Sequence, residues 1–92
     1  MQAATMKLDE GTRPTREQLL QMFRTTATEV VEKDFNHVLE TTVISELAID
    51  SLGMLEIIGS LERQLRIQIP DEALTGLTTV RDLLDVVEKR QV

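Results

Sequence analysis

The spacing of apolar residues constrains this chain most, because it follows the period of an α-helix in three segments. The first predicted helix runs from about Thr15 to about Glu32, the second from Ser51 to about Leu65, and the third begins near Val80. The apolar positions are Leu19, Leu20, Phe23, Ala27, Val30 and Val31; Met54, Ile57, Ile58, Leu61 and Leu65; and Val80, Leu83, Leu84 and Val87. No segment shows the clean alternation of a strand, so the sequence predicts an all-α fold.

Residues of the kind that cap helices precede each of these segments. The run Thr15–Gln18 has the form of a capping box, in which a threonine and a glutamine side chain each accept from the other's backbone N–H. Asp50 or Ser51 suits the start of the second helix, and Thr78 or Thr79 suits the start of the third. The second helix also carries a second apolar seam beside the first, formed by Leu52, Leu55 and Gly59.

The connection between the first two helices is long, covering residues 33–49. A loop of this length in a small domain is either functional or fixed by its own side chains. We expect its apolar residues to lie over the helices and to bring Asp50 and Ser51 to the surface, with Thr41 or Thr42 capping a short turn. After the second helix, Pro70 favours an extended exit. Residues 71–74 then predict one short helix, which gives three main helices and a short third one.

The ends of the chain set its domain organisation. Residues 1–14 show no periodicity and predict a flexible N-terminal leader, which leaves residues 15–92 as a single domain. No apolar run approaches the roughly 18 residues that a membrane span needs. The N-terminus also lacks the apolar stretch of a signal peptide. We therefore expect a cytoplasmic protein without membrane insertion.

Composition argues against several functions. The chain of 92 residues has no cysteine, two phenylalanines as its only Phe, Tyr or Trp residues, and a net charge of −6. It therefore lacks a thiol of its own and stacking platforms for nucleic acid, and its charge suits partners with basic patches. His37 is the only histidine, and no metal-ligand spacing or phosphate-binding glycine loop is present. We predict no catalytic residue, no metal and no enzymatic activity.

Ser51 has two interpretations at this stage. A serine after an aspartate at a helix start is most often part of a cap. A helix N-terminus also attracts a phosphate, because its N–H groups are unpaired and its dipole end is positive. Ser51 is therefore also a candidate point for attaching a phosphorylated group.

Three motifs in order favour the second interpretation: Asp50-Ser51-Leu52, then Ile67-Gln68-Ile69-Pro70-Asp71-Glu72, then Thr79-Val80-Arg81-Asp82-Leu83. With this set, the chain from Thr15 to Glu88 resembles discrete acyl carrier proteins. The resemblance implies an antiparallel four-helix bundle with a short third helix. It also implies that a phosphopantetheinyl transferase attaches 4′-phosphopantetheine from coenzyme A to Ser51. The arm would then hold acyl groups as thioesters, which suits a chain that has no thiol.

The resemblance also implies a surface for partner enzymes on the second helix and its approach loop. The matching residues are Asp50, Leu52, Leu55, Glu56, Gly59 and Glu62, with Glu46, Asp71 and Glu72 nearby. We expect a monomer that meets basic docking patches on the enzymes that load and process the acyl group, and no nucleic acid.

Some positions depart from the carriers of general fatty acid synthesis, which usually have glycine before the serine and an acid two positions after it. Here Ala48 and Gly53 occupy these positions, Gly59 replaces a bulky residue at the mouth of the acyl groove, and Arg63 replaces an acid. These departures favour a dedicated polyketide, specialised lipid or other secondary-metabolite pathway over fatty acid biosynthesis. A stand-alone aminoacyl or peptidyl carrier and an unmodified helical adaptor are the alternatives. A hydrolase using Ser51 lacks a base.

Overall fold

A computed structural model describes residues 14–91 and contains three α-helices. They are α1 (Arg16–Val31), α2 (Ser51–Leu65) and α3 (Val80–Arg90). Two short 3₁₀ helices, Ile44–Leu47 and Asp71–Leu74, precede α2 and α3 respectively. The all-α fold, with three main helices and a short one before the last, is confirmed. Of the predicted leader, residues 1–14, all but Pro14 lie outside the described part.

Side chains satisfy the first backbone N–H groups of α1 and α3. Thr15 Oγ1 accepts from the Gln18 N–H at 3.1 Å, and Gln18 Oε1 accepts from the Thr15 N–H at 2.8 Å, which confirms the capping box. Thr79 rather than Thr78 caps α3. Asp82 Oδ2 accepts from the backbone N–H groups of both threonines, at 2.9 Å from Thr78 and 3.0 Å from Thr79.

The core is formed by the apolar faces of the three helices together with parts of the loops. Its buried members are Leu19, Leu20, Phe23, Ala27, Phe35, Val38, Leu47, Ile57, Ile58, Leu61, Ile69, Val80, Leu83, Leu84 and Val87. The predicted positions Val30, Val31, Met54 and Leu65 are half-buried and pack against this cluster. Of the helices described, none is both long and apolar enough to cross a bilayer.

The loop between α1 and α2 is fixed by backbone hydrogen bonds to the segment that leads into α3. The Ile44 N–H donates to Thr78 O at 2.8 Å, the Val80 N–H to Thr42 O at 3.0 Å, and the Arg81 N–H to Glu40 O at 2.8 Å. These bonds surround an isolated antiparallel bridge between residues 43 and 79. The loop is therefore held along residues 40–44 rather than only at its ends.

Two expectations for this loop are wrong. Val43, not a threonine, precedes the first 3₁₀ helix, and no side chain caps it. The Thr42 hydroxyl instead accepts from the Leu39 N–H at 2.9 Å, inside the loop. Phe35, Val38 and Leu47 are buried as expected, but Leu39 is 55% exposed, because the turn closed by Thr42 directs it outward.

Arg16, the first residue of α1, joins three parts of the chain. Its guanidinium lies 3.1 Å from Glu40 in the loop, and 2.6 Å and 2.8 Å from Asp85 and Glu88 on α3. One planar cation with five donors in a fixed geometry reaches all three carboxylates at once. The start of α1 is therefore fixed against both the loop and α3.

Candidate functional site

Ser51 is the first residue of α2, and Asp50 before it is the N-cap. The Asp50 carboxylate accepts from the Gly53 N–H at 2.7 Å, and the Asp50 carbonyl accepts from the Met54 N–H at 2.9 Å. Of the two predicted capping residues, Asp50 therefore makes the cap. Ser51 is exposed, and within residues 14–91 its hydroxyl makes no hydrogen bond. Its oxygen is thus free to react.

The approach to Ser51 turns at Ala48, whose φ of 59° lies in the left-handed region. Leu47 before this turn is buried at 7% exposure, and Ile49 after it is half-buried against the core. Two apolar anchors therefore lie on either side of a left-handed turn that an L-residue adopts only at a cost. This arrangement fixes where α2 and its first hydroxyl begin.

Gly53 is explained by close packing in the first turn of α2. A β-carbon there would lie 3.1 Å from Asp50 Oδ1 and 3.1 Å from Ile49 Cγ2. Both distances are shorter than ordinary van der Waals contact. A larger residue would have to displace either the capping carboxylate or a core side chain, so an acidic residue is unfavourable at this position.

An apolar groove of about 340 Å³ opens beside Ser51. It is lined by Ile44, Ser51, Met54, Leu55, Ile58, Leu74 and Leu77. Gly59, expected at the mouth of the groove, is not among these lining residues. A β-carbon on Gly59 would have only the Arg63 guanidinium nearby, at 3.7 Å.

A second pocket of about 290 Å³ lies on the α1 side of the start of α2. Its lining residues are Val30, Val31, Ala48, Asp50, Leu52, Gly53 and Glu56. Leu52, in this pocket, is 65% exposed, and Leu55, in the first groove, is 57% exposed. The second seam of α2 therefore faces outward on both sides of Ser51, where exposed leucines favour contact with a partner.

The acids predicted for docking differ in what they contact. Asp50 and Glu56 are exposed near Ser51. Glu62, about three turns from the start of α2, is half-buried, and its Oε2 accepts from the Ile69 N–H at 2.7 Å. Sequence reasoning missed this internal bond. The only signal for it was the extended exit before Pro70, whose backbone N–H groups need an acceptor.

Among residues 14–91, no histidine or acid lies close enough to hydrogen-bond the Ser51 hydroxyl. His37 is exposed and stacks on Phe35, with ring centroids 6.5 Å apart. Across the part of the chain that the structure describes, no cluster of three or more His, Cys, Asp or Glu side chains could hold a metal ion. The arrangement offers an accessible hydroxyl at a helix start and an apolar groove beside it.

Comparisons with known proteins agree with this arrangement. A family model described as the phosphopantetheine attachment site matches residues 17–87. Acyl carrier proteins from two Clostridium perfringens strains, SM101 and 13, are each 41% identical over 49 residues, which is 53% of this chain and 64% of their own length. The crystal structure of an acyl carrier protein from Thermotoga maritima superposes with a TM-score of 0.75 and 31% identity, covering 82% of this chain and 88% of that one.

The fold and the site therefore define a small helical carrier domain of the phosphopantetheine-attachment class. Within that class, the chain belongs to the acyl carrier protein family. Proteins of this family are carriers rather than enzymes, and their cofactor is a covalently attached 4′-phosphopantetheine. The residues at the start of α2 fit that group, since a free exposed hydroxyl lies at a positive helix end beside an apolar groove.

Proposed function

We propose that Ser51 Oγ is the attachment atom for 4′-phosphopantetheine, and that the chain carries acyl groups as thioesters on this arm. The observation that carries the proposal is the exposed Ser51 hydroxyl at the start of α2, without a hydrogen bond among the described residues. The bound arm would supply the thiol that a chain without cysteine lacks. The groove of about 340 Å³ beside Ser51 suits an apolar acyl group better than a charged aminoacyl group.

The chain's own residues position the hydroxyl but do not activate it. The Asp50 carboxylate is engaged by the Gly53 N–H, and the single histidine lies in the loop after α1. A phosphopantetheinyl transferase must therefore supply the base that removes the Ser51 proton. The backbone N–H groups at the start of α2 would favour the negative charge of a phosphodiester attached to Ser51.

Docking to the transferase and to acyl-processing enzymes is proposed for the exposed side of α2. Leu52 and Leu55 provide apolar contact on either side of Ser51, and Asp50 and Glu56 provide negative charge for basic patches. Gly59 leaves a flat stretch one turn further along the helix. We propose that the protein performs this role as a cytoplasmic monomer.

Intact-mass analysis after co-expression with a broad-specificity phosphopantetheinyl transferase tests the attachment site. We expect the wild type to gain the mass of one 4′-phosphopantetheine and Ser51→Ala to gain nothing. Ser45→Ala is the matched control, because Ser45 is also exposed and lies in the 3₁₀ helix before α2. An unmodified wild type, or a modified Ser51→Ala, would overturn the proposal.

For the pathway, we propose a dedicated polyketide, specialised lipid or other secondary-metabolite system. Support comes from Gly53, where any side chain would crowd the Asp50 cap, and from Arg63, an exposed cation on α2. We expect slow loading by the malonyl-loading enzyme of general fatty acid synthesis, and faster loading of Arg63→Glu. Arg66→Glu, just past the end of α2, controls for net charge. Efficient loading of the wild type would contradict the pathway proposal.

A further inference from the structure

Glu62 holds the segment that follows α2 through both its main chain and its side chain. Its carbonyl accepts from the N–H groups of Arg66 and Ile67, the latter at 3.1 Å. Its carboxylate oxygen Oε2 accepts from the Ile69 N–H at 2.7 Å. Three of the four backbone donors in residues 66–69 are therefore bound by this one glutamate.

The segment held by Glu62 leads directly to one wall of the groove. Ile69 is 6% exposed and belongs to the core. The next residue, Pro70, immediately precedes the second 3₁₀ helix, Asp71–Leu74. Leu74 and Leu77 then line the groove beside Ser51. Leu74, in the wall of the groove, thus lies only five positions after Ile69, the residue that the Glu62 carboxylate binds.

The second 3₁₀ helix is only weakly held by its own residues. No side chain caps it, and Ala73 and Leu74 are only partly buried where they pack against the core. Its position therefore depends also on the segment before it, where Ile69 lies in the core. The Ile69 N–H is part-buried, and losing its acceptor would leave a donor there without a partner, which favours movement of the segment.

We infer that Glu62 is a positioning residue for the groove, acting through the Ile69 backbone on the wall that contains Leu74. This inference deepens the proposed function and rests on it wherever acyl cargo is concerned. Glu62 therefore has a different role from Asp50 and Glu56, which are proposed to bind partner enzymes. A docking acid needs its negative charge, whereas holding Ile69 needs only an acceptor oxygen, which a glutamine also provides.

The substitutions Glu62→Gln and Glu62→Ala distinguish the two roles, since the first keeps the acceptor and loses the charge. Gln64→Ala is the matched control. It removes a side-chain hydrogen bond from the same turn of α2, the 3.0 Å bond from Gln64 to Thr26, and leaves the bonds to residues 66–74 in place. The first readout is hydrogen exchange of the Ile69 amide, measured by NMR before Ser51 is modified. Exchange of the Leu83 amide in the core reports global unfolding.

We expect the Ile69 amide to exchange about tenfold faster in Glu62→Ala relative to Leu83, as loss of a bond to a charged acceptor implies. Glu62→Gln should remain within about twofold of the wild type, because a neutral acceptor keeps most of that protection. Gln64→Ala should change both amides together or neither. Equal acceleration in Glu62→Gln and Glu62→Ala, or none in Glu62→Ala, would overturn the inference.

The second readout is cleavage of the thioester by hydroxylamine in protein that carries an octanoyl group. We expect faster cleavage in Glu62→Ala, by at most the same roughly tenfold factor, because both rates report opening of the same segment. Glu62→Gln should be protected as the wild type is. An acetyl group, too short to fill the groove, should be cleaved at the same rate in every variant. Unchanged octanoyl cleavage in Glu62→Ala would overturn the inference.

The two readouts also separate this inference from the proposed function. If Ser51 accepts no arm, the proposed function fails, and exchange of the Ile69 amide still decides whether Glu62 holds this segment. If Ser51 is modified and the octanoyl rates do not respond to Glu62→Ala, the inference alone fails.

Discussion

The Asp50 carboxylate lies 2.7 Å from the Gly53 nitrogen, and a β-carbon on Gly53 would lie 3.1 Å from the same carboxylate oxygen. Alanine normally stabilises a helix relative to glycine by about 1 kcal/mol. Here the added carbon must displace the cap or Ile49. We therefore expect Gly53→Ala to give no gain in the free energy of unfolding, and a loss of up to about 1 kcal/mol if the cap weakens. Urea denaturation measures this difference.

Gly59→Ala is the matched control on the same helix. A β-carbon at Gly59 meets only the flexible guanidinium of Arg63, at 3.7 Å. The full gain of about 1 kcal/mol in the free energy of unfolding is expected there. Equal gains at Gly53 and Gly59 would contradict the steric account of Gly53.

Ala48→Gly should stabilise the chain. Ala48 has a φ of 59°, and the left-handed conformation costs an L-residue about 1–2 kcal/mol, whereas glycine adopts it freely. The greater freedom of glycine in the unfolded chain offsets about 0.4–1 kcal/mol of this gain. We expect a net rise of up to about 1.5 kcal/mol in the free energy of unfolding.

The control for Ala48 is Ala73→Gly in the second 3₁₀ helix. Ala73 has no positive φ, so glycine there should destabilise by about 0.5–1 kcal/mol. Thermal or urea unfolding of both variants shows whether each substitution raises or lowers the free energy of unfolding. A loss of stability in Ala48→Gly similar to that of Ala73→Gly would show that the left-handed turn carries no strain.

Stability in acid should depend on Asp82. Hydrogen bonds from the Thr79 and Thr78 backbone N–H groups lower the pKa of this carboxyl below its ordinary value of 3.8. A carboxyl whose pKa is lower when folded stabilises the protein above its unfolded pKa, and this contribution disappears as pH falls through the folded value. We expect Asp82→Asn to flatten the decline of stability below about pH 3.8, measured by urea unfolding at several pH values.

Asp71→Asn serves as the comparison for Asp82. Asp71 is exposed, and its side chain makes no hydrogen bond within residues 14–91. The stability of Asp71→Asn should therefore decline in acid in the same way as that of the wild type. If Asp82→Asn and the wild type lose stability in parallel below the same pH, the two threonine N–H groups do not hold the ionised form of Asp82.

Docking at α2 should depend more on leucines than on single acids. Leu52 and Leu55 are 65% and 57% exposed beside Ser51. Truncating either leucine to alanine should lower kcat/KM for the phosphopantetheinyl transferase about tenfold, as expected for residues at the centre of a protein interface. Glu56→Lys should lower kcat/KM only a few-fold, and this smaller effect should weaken as the salt concentration rises. Leu39→Ala is the control, since Leu39 is 55% exposed but lines neither pocket beside Ser51. An equal loss in Leu39→Ala would contradict a localised surface.

The helices could be predicted because their signals are local. The period of the apolar residues and the Thr15 capping box lie within one segment, and the structure agrees with the predicted bounds of α1 and α2 to within a residue. The Asp-Ser-Leu motif likewise predicted an exposed hydroxyl at the start of α2. Helix propensity and capping depend on residues three or four positions apart, which a sequence displays directly.

The features that could not be predicted depend on contacts formed by folded loops. Thr42 bonds within its loop instead of capping a helix, because the turn at Leu39 places its hydroxyl there. Glu62 belongs to an acidic helix surface in the sequence, but the exit at Ile69 returns to it. Gly53 stands out in the sequence only as a departure from other carriers, and the positions of Asp50 and Ile49 give the structural reason for it.

The pairing of the long loop with the segment before α3 has a consequence for how related sequences vary. The bonds at Glu40, Thr42 and Ile44 run between backbone atoms, with partners at residues 78–81. Except for proline, every amino acid brings the same N–H and carbonyl groups to such a position. Substitutions that keep the buried and hydrogen-bonded side chains of this loop should therefore leave the backbone pairing, and with it the place where α2 begins, unchanged.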